Sequence, residues 1–154
     1  MKKLNDLTNE VHQMLKASKM RLKLTESFTG GLISSLLVQN TGASEYLIEG
    51  IVCYSNISKQ QILNIPQDII DNYSAVSYAV CNRMMDGLND CDISIAATGY
   101  ADTHPHIAYI GVKTLNTTII KKIALNKTRL QNIQTGALTA LKILKEILGE
   151  KHNG

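Results

Sequence analysis

The sequence predicts an α/β fold, a single three-layer α/β/α domain with a mixed, mostly parallel sheet. Apolar residues recur at helical spacing near both ends of the chain, and strand-like runs alternate with further helical segments between them. Two late runs have the pattern of a hairpin, which makes the expected sheet mixed. The 154 residues are the size of one domain, so we expect a single domain over residues 1–154.

Helices are expected where apolar side chains lie three and four positions apart, or where a capping residue precedes such a pattern. The first pattern is amphipathic, and the last is long, with leucines and isoleucines on one face. The expected segments are 5–17, 32–38 with an end near Gly42, a short turn or helix opened by Pro66 and Asp68, a helix from the cap Ser77 to Leu88, and 130–148.

Strands are expected where short runs are apolar or alternate between apolar and polar residues. The expected segments are 21–25, 46–54, 92–97, and a hairpin of 107–114 with 117–125 that turns at Asn116. In open α/β sheets, ligands bind outside the carboxyl ends of the strands. The segments that follow Thr25, Tyr54 and Thr98 are therefore the expected places for chemistry.

Composition and charge exclude several classes of function. The net charge of +3 comes with dispersed lysines and is too small to indicate nucleic-acid binding. No apolar run approaches the roughly 20 residues that span a bilayer, and residues 1–10 lack the apolar core of a signal peptide. Cys53, Cys81 and Cys91 lie in apolar patterns, which indicates reduced thiols. We therefore expect a cytoplasmic protein that binds neither nucleic acid nor membrane.

The segment TESFTGG at residues 25–31 connects a predicted strand to a predicted helix. Ser27 lies where unpaired N–H groups and the helix dipole favour anions and developing oxyanions. Gly30 and Gly31 let the backbone approach a ligand closely. A tight turn in which Ser27 or Thr29 caps the helix explains the same pattern without a ligand. No Walker lysine and no G-x-G-x-x-G motif is present, which excludes the standard nucleotide loops.

The segment YSNISK at residues 54–59 places polar side chains after the next predicted strand, where they can line a pocket. Lys59 can act there as a base only if burial or a neighbouring cation lowers its pKa toward neutrality. The alternative is an exposed lysine in the first turn of a helix, with no part in chemistry.

The loop at residues 98–106 and the start of the last helix carry further polar candidates. His104 and His106 lie two positions apart, but no cysteine or second pair of ligands has the spacing of a metal site, so we expect no metal. Arg129 is a candidate partner for a phosphate or a carboxylate, although a surface arginine is the commoner case.

Taken in order, these segments resemble the CinA C-terminal domain family, the nicotinamide-nucleotide amidohydrolases. Residues 25–31 stand where the family has A-E-S-C-T-G-G, and residues 54–59 stand against T-Y-S-N-E-A-K. Residues 74–77 match G-A-V-S, and residues 98–99 match the start of T-G-I-A-G-P. The resemblance covers about residues 4–148.

The resemblance implies hydrolysis of nicotinamide mononucleotide to nicotinic acid mononucleotide and ammonia, without metal or cofactor, by a homodimer or higher homo-oligomer. Ser27 matches the implied nucleophile and Lys59 its base, and Tyr54 matches a residue expected to orient Lys59 or relay the proton. Main-chain N–H groups near Thr29 and Gly30 are expected to hold the oxyanion. The implied substrate-binding residues are Thr29, Gly30, Gly31, Ser55, Asn56, Thr98, Gly99 and Arg129, the last as phosphate partner.

Two departures from the family motifs leave alternatives open. Phe28 replaces the usual cysteine beside the nucleophile, and residues 102–106 replace a glycine-rich stretch that can supply N–H donors. One alternative is a catalytically impaired member that binds a nucleotide or a partner protein. The other is an amidase that acts on a different pyridine nucleotide or small amide.

Overall fold

The computed structural model describes residues 2–152, and the side chains of residues 2–150. The expected domain of residues 1–154 therefore extends beyond the described residues at both ends. The elements are α1 (Lys2–Ser18), β1 (Leu22–Glu26), α2 (Leu32–Val38), a 3₁₀ turn (Ala43–Glu45), β2 (Leu47–Val52), α3 (Asn56–Leu63), α4 (Gln67–Tyr73), α5 (Tyr78–Asp86), β3 (Ile93–Gly99), β4 (Ile107–Lys113), β5 (Thr118–Ala124) and α6 (Arg129–His152).

The strands form one five-stranded sheet in the order β2-β1-β3-β4-β5. β1 pairs in parallel with β2 and with β3, whereas β4 is antiparallel to both β3 and β5. Within the described residues, β4 alone therefore runs against the other strands. The predicted mixed, mostly parallel sheet is confirmed. Its two central strands, β1 and β3, are almost completely buried, because helices cover both faces of the sheet.

Helices cover the sheet on both sides and produce the predicted three layers. One face carries α1, α2 and α6, whose leucines and isoleucines pack on the inward side chains of β1, β3 and β4. The other face carries α3, α4 and α5, with Met84 and Met85 of α5 fully buried. None of the helices within residues 2–152 combines the length and the apolar composition needed to cross a bilayer.

The predicted elements agree with the structure except at some ends. The helix expected at 32–38 is α2, but it does not continue toward Gly42, where the backbone turns into the left-handed region with φ 93°. Ser77 caps α5 as expected, because its hydroxyl accepts the Val80 N–H at 3.1 Å. Residues 56–63 form α3, the helix that the sequence offered as the alternative setting for Lys59.

The bulky ring of Phe28 is accommodated by two glycines on neighbouring elements. Phe28 is 4% exposed, so most of its ring lies in the core rather than in the space beside Ser27. A Cβ at Gly99 of β3 would lie 2.9 Å from the ring, and one at Gly136 of α6 would lie 2.4 Å from it. The side chain that replaces the family's cysteine is therefore packed against these two positions.

We expect Gly136→Ala to lower the free energy of unfolding by about 1–3 kcal/mol, because the new methyl group overlaps the buried ring of Phe28. Urea denaturation followed by circular dichroism measures the change. Gly149→Ala is the matched control in the same helix: its Cβ would meet nothing closer than 3.9 Å, so stability should stay equal or rise by up to about 1 kcal/mol. Equal stability of the two variants would contradict this packing.

Candidate active site

A cleft of about 290 Å³ opens at the carboxyl ends of β1 and β3, beside the segment that follows β2. This is the edge of the sheet where ligands bind in open α/β folds. The cleft lining contains seven of the residues predicted from sequence: Ser27, Tyr54, Asn56, Lys59, Thr98, Gly99 and Arg129. Four other predicted residues lie outside the lining: Thr29, Gly30, Gly31 and Ser55.

Ser27 and Lys59 meet on the floor of this cleft. Ser27 follows the last residue of β1, and Lys59 lies in the first turn of α3. The Lys59 Nζ is 2.9 Å from the Ser27 Oγ, 3.0 Å from the Cys53 carbonyl oxygen and 3.3 Å from the Tyr54 carbonyl oxygen. The structure thus brings together a hydroxyl and an amine that are 32 residues apart in the chain.

The amine of Lys59 is buried without a carboxylate partner. Its side chain is only 2% exposed, and none of the ion pairs formed by the described residues includes it. Burial lowers the pKa of Lys59 below its ordinary value, while the interaction with Cys53 opposes part of that shift. In the neutral state, the amine can donate two N–H groups to the two carbonyls and direct its lone pair at the Ser27 hydroxyl.

The buried carboxylate of Glu26 occupies the N-terminus of α2. Its Oε1 accepts the Thr29 hydroxyl at 2.7 Å and the Ile33 N–H at 2.9 Å. Its Oε2 accepts both the N–H and the hydroxyl of Ser34, at 3.0 and 2.7 Å. The N–H groups and dipole of α2 therefore bind a side chain of this protein, and Thr29 is not placed to bind substrate as expected.

The other three predicted residues outside the lining shape the backbone instead of facing the cleft. The Gly30 N–H donates to the Ser27 carbonyl at 3.1 Å, so it is not available to an oxyanion as expected. Gly31 has φ 97°, a left-handed conformation that favours glycine where α2 begins. Ser55 caps α3, since its hydroxyl accepts the Ser58 N–H at 3.1 Å. These residues position Ser27 and Lys59.

The phenol of Tyr54 does not contact Lys59, contrary to the expected orienting role. Its side chain is 61% exposed, and its hydroxyl accepts a hydrogen bond from Arg129 Nη2 at 3.0 Å. The main-chain carbonyl of Tyr54 provides the contact with Lys59 instead. Arg129 also forms an ion pair with Asp102, and the contacts with Tyr54 and Asp102 raise the pKa of the guanidinium.

Asn132, which the sequence did not single out, holds the cleft wall in place. The Asn132 amide, almost fully buried in α6, donates to the Ala101 and Lys127 carbonyls at 2.6 and 2.9 Å. These bonds fix the loop after β3 relative to the start of α6. Thr98, which lines the cleft, donates to the Ala75 carbonyl at 2.8 Å. The sequence signal that could have indicated this role is the position of Asn132 as a polar residue within an apolar helical pattern.

The two loop histidines lie near each other at the surface, with ring centroids 6.2 Å apart. Across the described part of the chain, no three His, Cys, Asp or Glu side chains come close enough to hold a metal ion.

The family model for the CinA C-terminal domain matches residues 4–148. The chain belongs to this family. A CinA-like protein from Fusobacterium nucleatum subsp. nucleatum is 34% identical in an alignment that covers 94% of this chain and 38% of that relative. A putative competence-damage inducible protein from Finegoldia magna is 33% identical, over 91% of this chain and 36% of the relative. The chain thus spans little more than a third of the length of these curated relatives.

Solved structures of the same superfamily share the fold. The competence damage-inducible protein A from Klebsiella pneumoniae subsp. pneumoniae superimposes with a TM-score of 0.89 at 26% identity, covering 95% of this chain and 97% of that one. A CinA superfamily protein from Escherichia coli gives 0.88 at 26% identity, over 94% and 90% of the two chains. The predicted family and the predicted three-layer α/β/α architecture are both confirmed.

We expect Glu26→Gln to lower the free energy of unfolding by about 1.5–3 kcal/mol, because an amide cannot accept all four hydrogen bonds that the carboxylate receives. Chemical denaturation provides the measurement. Glu45→Gln removes an exposed carboxylate on the 3₁₀ turn and should change stability by less than about 0.5 kcal/mol. If both substitutions have the same small effect, Glu26 does not hold the turn that carries Ser27.

Proposed function

We propose that this chain hydrolyses the carboxamide of nicotinamide mononucleotide to nicotinic acid mononucleotide and ammonia. The observation that carries the proposal is the 2.9 Å contact between the Lys59 amine and the Ser27 hydroxyl on the floor of the cleft. A serine beside a buried base is the arrangement of a nucleophilic hydrolase. Membership of the CinA C-terminal domain family supports the choice of substrate.

In the first half of the reaction, Ser27 attacks the carbonyl carbon of the carboxamide while neutral Lys59 accepts the hydroxyl proton. The tetrahedral intermediate collapses as Lys59 returns this proton to the amide nitrogen. The C–N bond breaks, ammonia leaves, and an ester to Ser27 remains. In the second half, Lys59 deprotonates a water molecule that attacks the ester, and the proton then restores the Ser27 hydroxyl as the acid departs.

The oxyanion of the tetrahedral intermediate needs hydrogen-bond donors near Ser27. Because the Gly30 N–H is already bonded, the main-chain N–H of Phe28, a residue that lines the cleft, is the candidate in the turn. Such donors contribute about 3–4 kcal/mol to the transition state of other hydrolases. Arg129, at the rim of the cleft, is the candidate partner for the substrate phosphate.

The cellular compartment, the oligomeric state and the partners of this protein are also proposals. Cys53 and Cys81 are buried free thiols, which suits a reducing compartment such as the cytoplasm. The homodimer or higher homo-oligomer implied by the family resemblance remains a prediction, as does the absence of nucleic-acid and membrane partners.

Ser27→Ala and Lys59→Ala should each reduce ammonia release from nicotinamide mononucleotide by about 10³-fold or more, because each removes one member of the pair. A coupled ammonia assay, with chromatography of the acid product, measures the loss. Ser44→Ala and Lys121→Met, at surface positions away from the cleft, serve as controls and should keep wild-type turnover. Wild-type turnover by either Ser27→Ala or Lys59→Ala would exclude this mechanism.

A second assay separates catalysis from binding alone. If the wild-type protein binds nicotinamide mononucleotide in calorimetry but forms no acid after long incubation, the chain is the catalytically impaired member considered as an alternative. If it releases ammonia from other amides and not from the mononucleotide, the proposed substrate is wrong, whereas the Ser27–Lys59 chemistry stands.

The pH dependence of kcat/KM should follow the protonation of Lys59. The reactive form is the neutral amine, so activity should rise with pH through the pKa of Lys59 and fall away below it. Because burial lowers that pKa, this rise should occur at lower pH than for an exposed lysine. A pH–rate profile measures the rise. A profile that falls with increasing pH over the same range would contradict Lys59 as the base.

A further inference from the structure

Among the residues that the structure describes, the cleft lining contains one exposed cation, Arg129, and the carboxylate of Asp102 forms an ion pair with it. Of the residues that line the cleft, the charged ones are Lys59, Asp102 and Arg129. Lys59 lies on the buried floor, whereas Asp102 and Arg129 form an ion pair with both side chains about half exposed. In the reactive state, with Lys59 neutral, the accessible charges of the cleft therefore cancel.

We propose that Asp102 is a specificity-determining residue that pairs with Arg129 and so reduces the contribution that a phosphate group makes to ligand binding. This inference rests on the proposed function, and it assigns to that site a weak preference for phosphate. The cleft then binds a pyridine amide mainly through the uncharged part of the ligand. The phosphate contributes less to binding than it would if Arg129 were unpaired.

The position of Asp102 is fixed by the loop that carries it. The preceding residue, Ala101, is buried, and its carbonyl accepts a hydrogen bond from the Asn132 amide of α6. Further along the loop, the His106 N–H donates to the Thr103 carbonyl at 2.8 Å. Because Asn132 lies on the same helix as Arg129, the loop and the guanidinium are held against each other.

Arg129 is engaged on two sides at the cleft rim. One terminal nitrogen donates to Asp102, and the other donates to the Tyr54 hydroxyl at 3.0 Å. A phosphate monoester carries a charge of roughly −1.5 to −2 near neutral pH. A phosphate bound to this guanidinium would therefore have the carboxylate as a like-charged neighbour, which weakens its binding. An amide without phosphate meets no such repulsion.

The test compares wild type with Asp102→Asn on two amides that differ only in phosphate, nicotinamide mononucleotide and nicotinamide riboside. We expect the substitution to raise kcat/KM for the mononucleotide by roughly three- to tenfold through a lower KM at unchanged kcat. The riboside should be unaffected. The gain should shrink at high ionic strength, because salt screens exposed charges.

Asp86→Asn is the matched control, since it removes an exposed carboxylate from its ion pair with Lys113 at the opposite end of the sheet. It changes the net charge by the same amount as Asp102→Asn and should leave the ratio of kcat/KM for the two substrates unchanged. The inference is wrong if Asp102→Asn changes kcat/KM equally for both substrates or changes it for neither. It is also wrong if Asp102→Asn alters the ratio of the two kcat/KM values no more than Asp86→Asn does.

Calorimetry separates a failure of this inference from a failure of the proposed function. If wild type hydrolyses neither amide, the proposed function fails, and Asp102 is judged by binding of the mononucleotide alone. Tighter binding by Asp102→Asn than by wild type and Asp86→Asn then supports the inference. Equal affinity, or no binding by any of the three proteins, overturns it.

Discussion

The proposed chemistry of this domain depends on a Lys59 amine that is buried and has no carboxylate partner among the described residues. A nearby carboxylate would favour the protonated amine, whereas Lys59 contacts only two carbonyls and a hydroxyl, and its burial lowers the pKa and so favours the neutral form. The sheet provides this environment. β1 and β2 run in parallel with Glu26 opposite Val52, and the Cys53 N–H donates to the Glu26 carbonyl at 2.8 Å. The chain segments that carry Ser27 and the two carbonyls therefore leave the sheet side by side.

A second constraint is the use of the helix dipole of α2. In many α/β proteins a helix N-terminus at this edge of the sheet binds an anionic ligand. Here the carboxylate of Glu26 is the anion at this N-terminus, and it accepts hydrogen bonds from Thr29, Ile33 and Ser34. These hydrogen bonds hold the turn after β1, which presents Ser27 to the cleft. Under the proposed function, the phosphate of the ligand is bound instead by Arg129, which forms an ion pair with Asp102.

The sequence was sufficient to predict the fold and the pair at the centre of the site. Parallel strands bring their carboxyl ends to one edge, which placed the segments after β1 and β2 together, and the family resemblance assigned Ser27 and Lys59 of these segments to one site. The periodicity of apolar residues located the helices, and the caps located some of their ends. The same patterns could not decide between a buried and an exposed Lys59. That difference depends on packing from α3 and β2 together.

The roles of the surrounding residues could not be predicted, because they depend on the direction of individual side chains. Tyr54 contacts Lys59 through its carbonyl, while its phenol turns outward to Arg129. Thr29 turns toward Glu26 rather than toward the cleft. Phe28, an apparent obstacle beside the proposed nucleophile, packs into the core because Gly136, more than a hundred residues away in the chain, leaves room for it.

The most direct test of this account is an NMR titration of Lys59 in protein labelled with ¹³C at the lysine Cε, with the signal assigned by its loss in Lys59→Arg. We expect this lysine to lose its proton at a lower pH than the exposed lysines of the chain, because its amine is buried and no carboxylate of the described residues pairs with it. Titration of Lys59 together with the exposed lysines would contradict the central claim, since no neutral amine would then be available to Ser27.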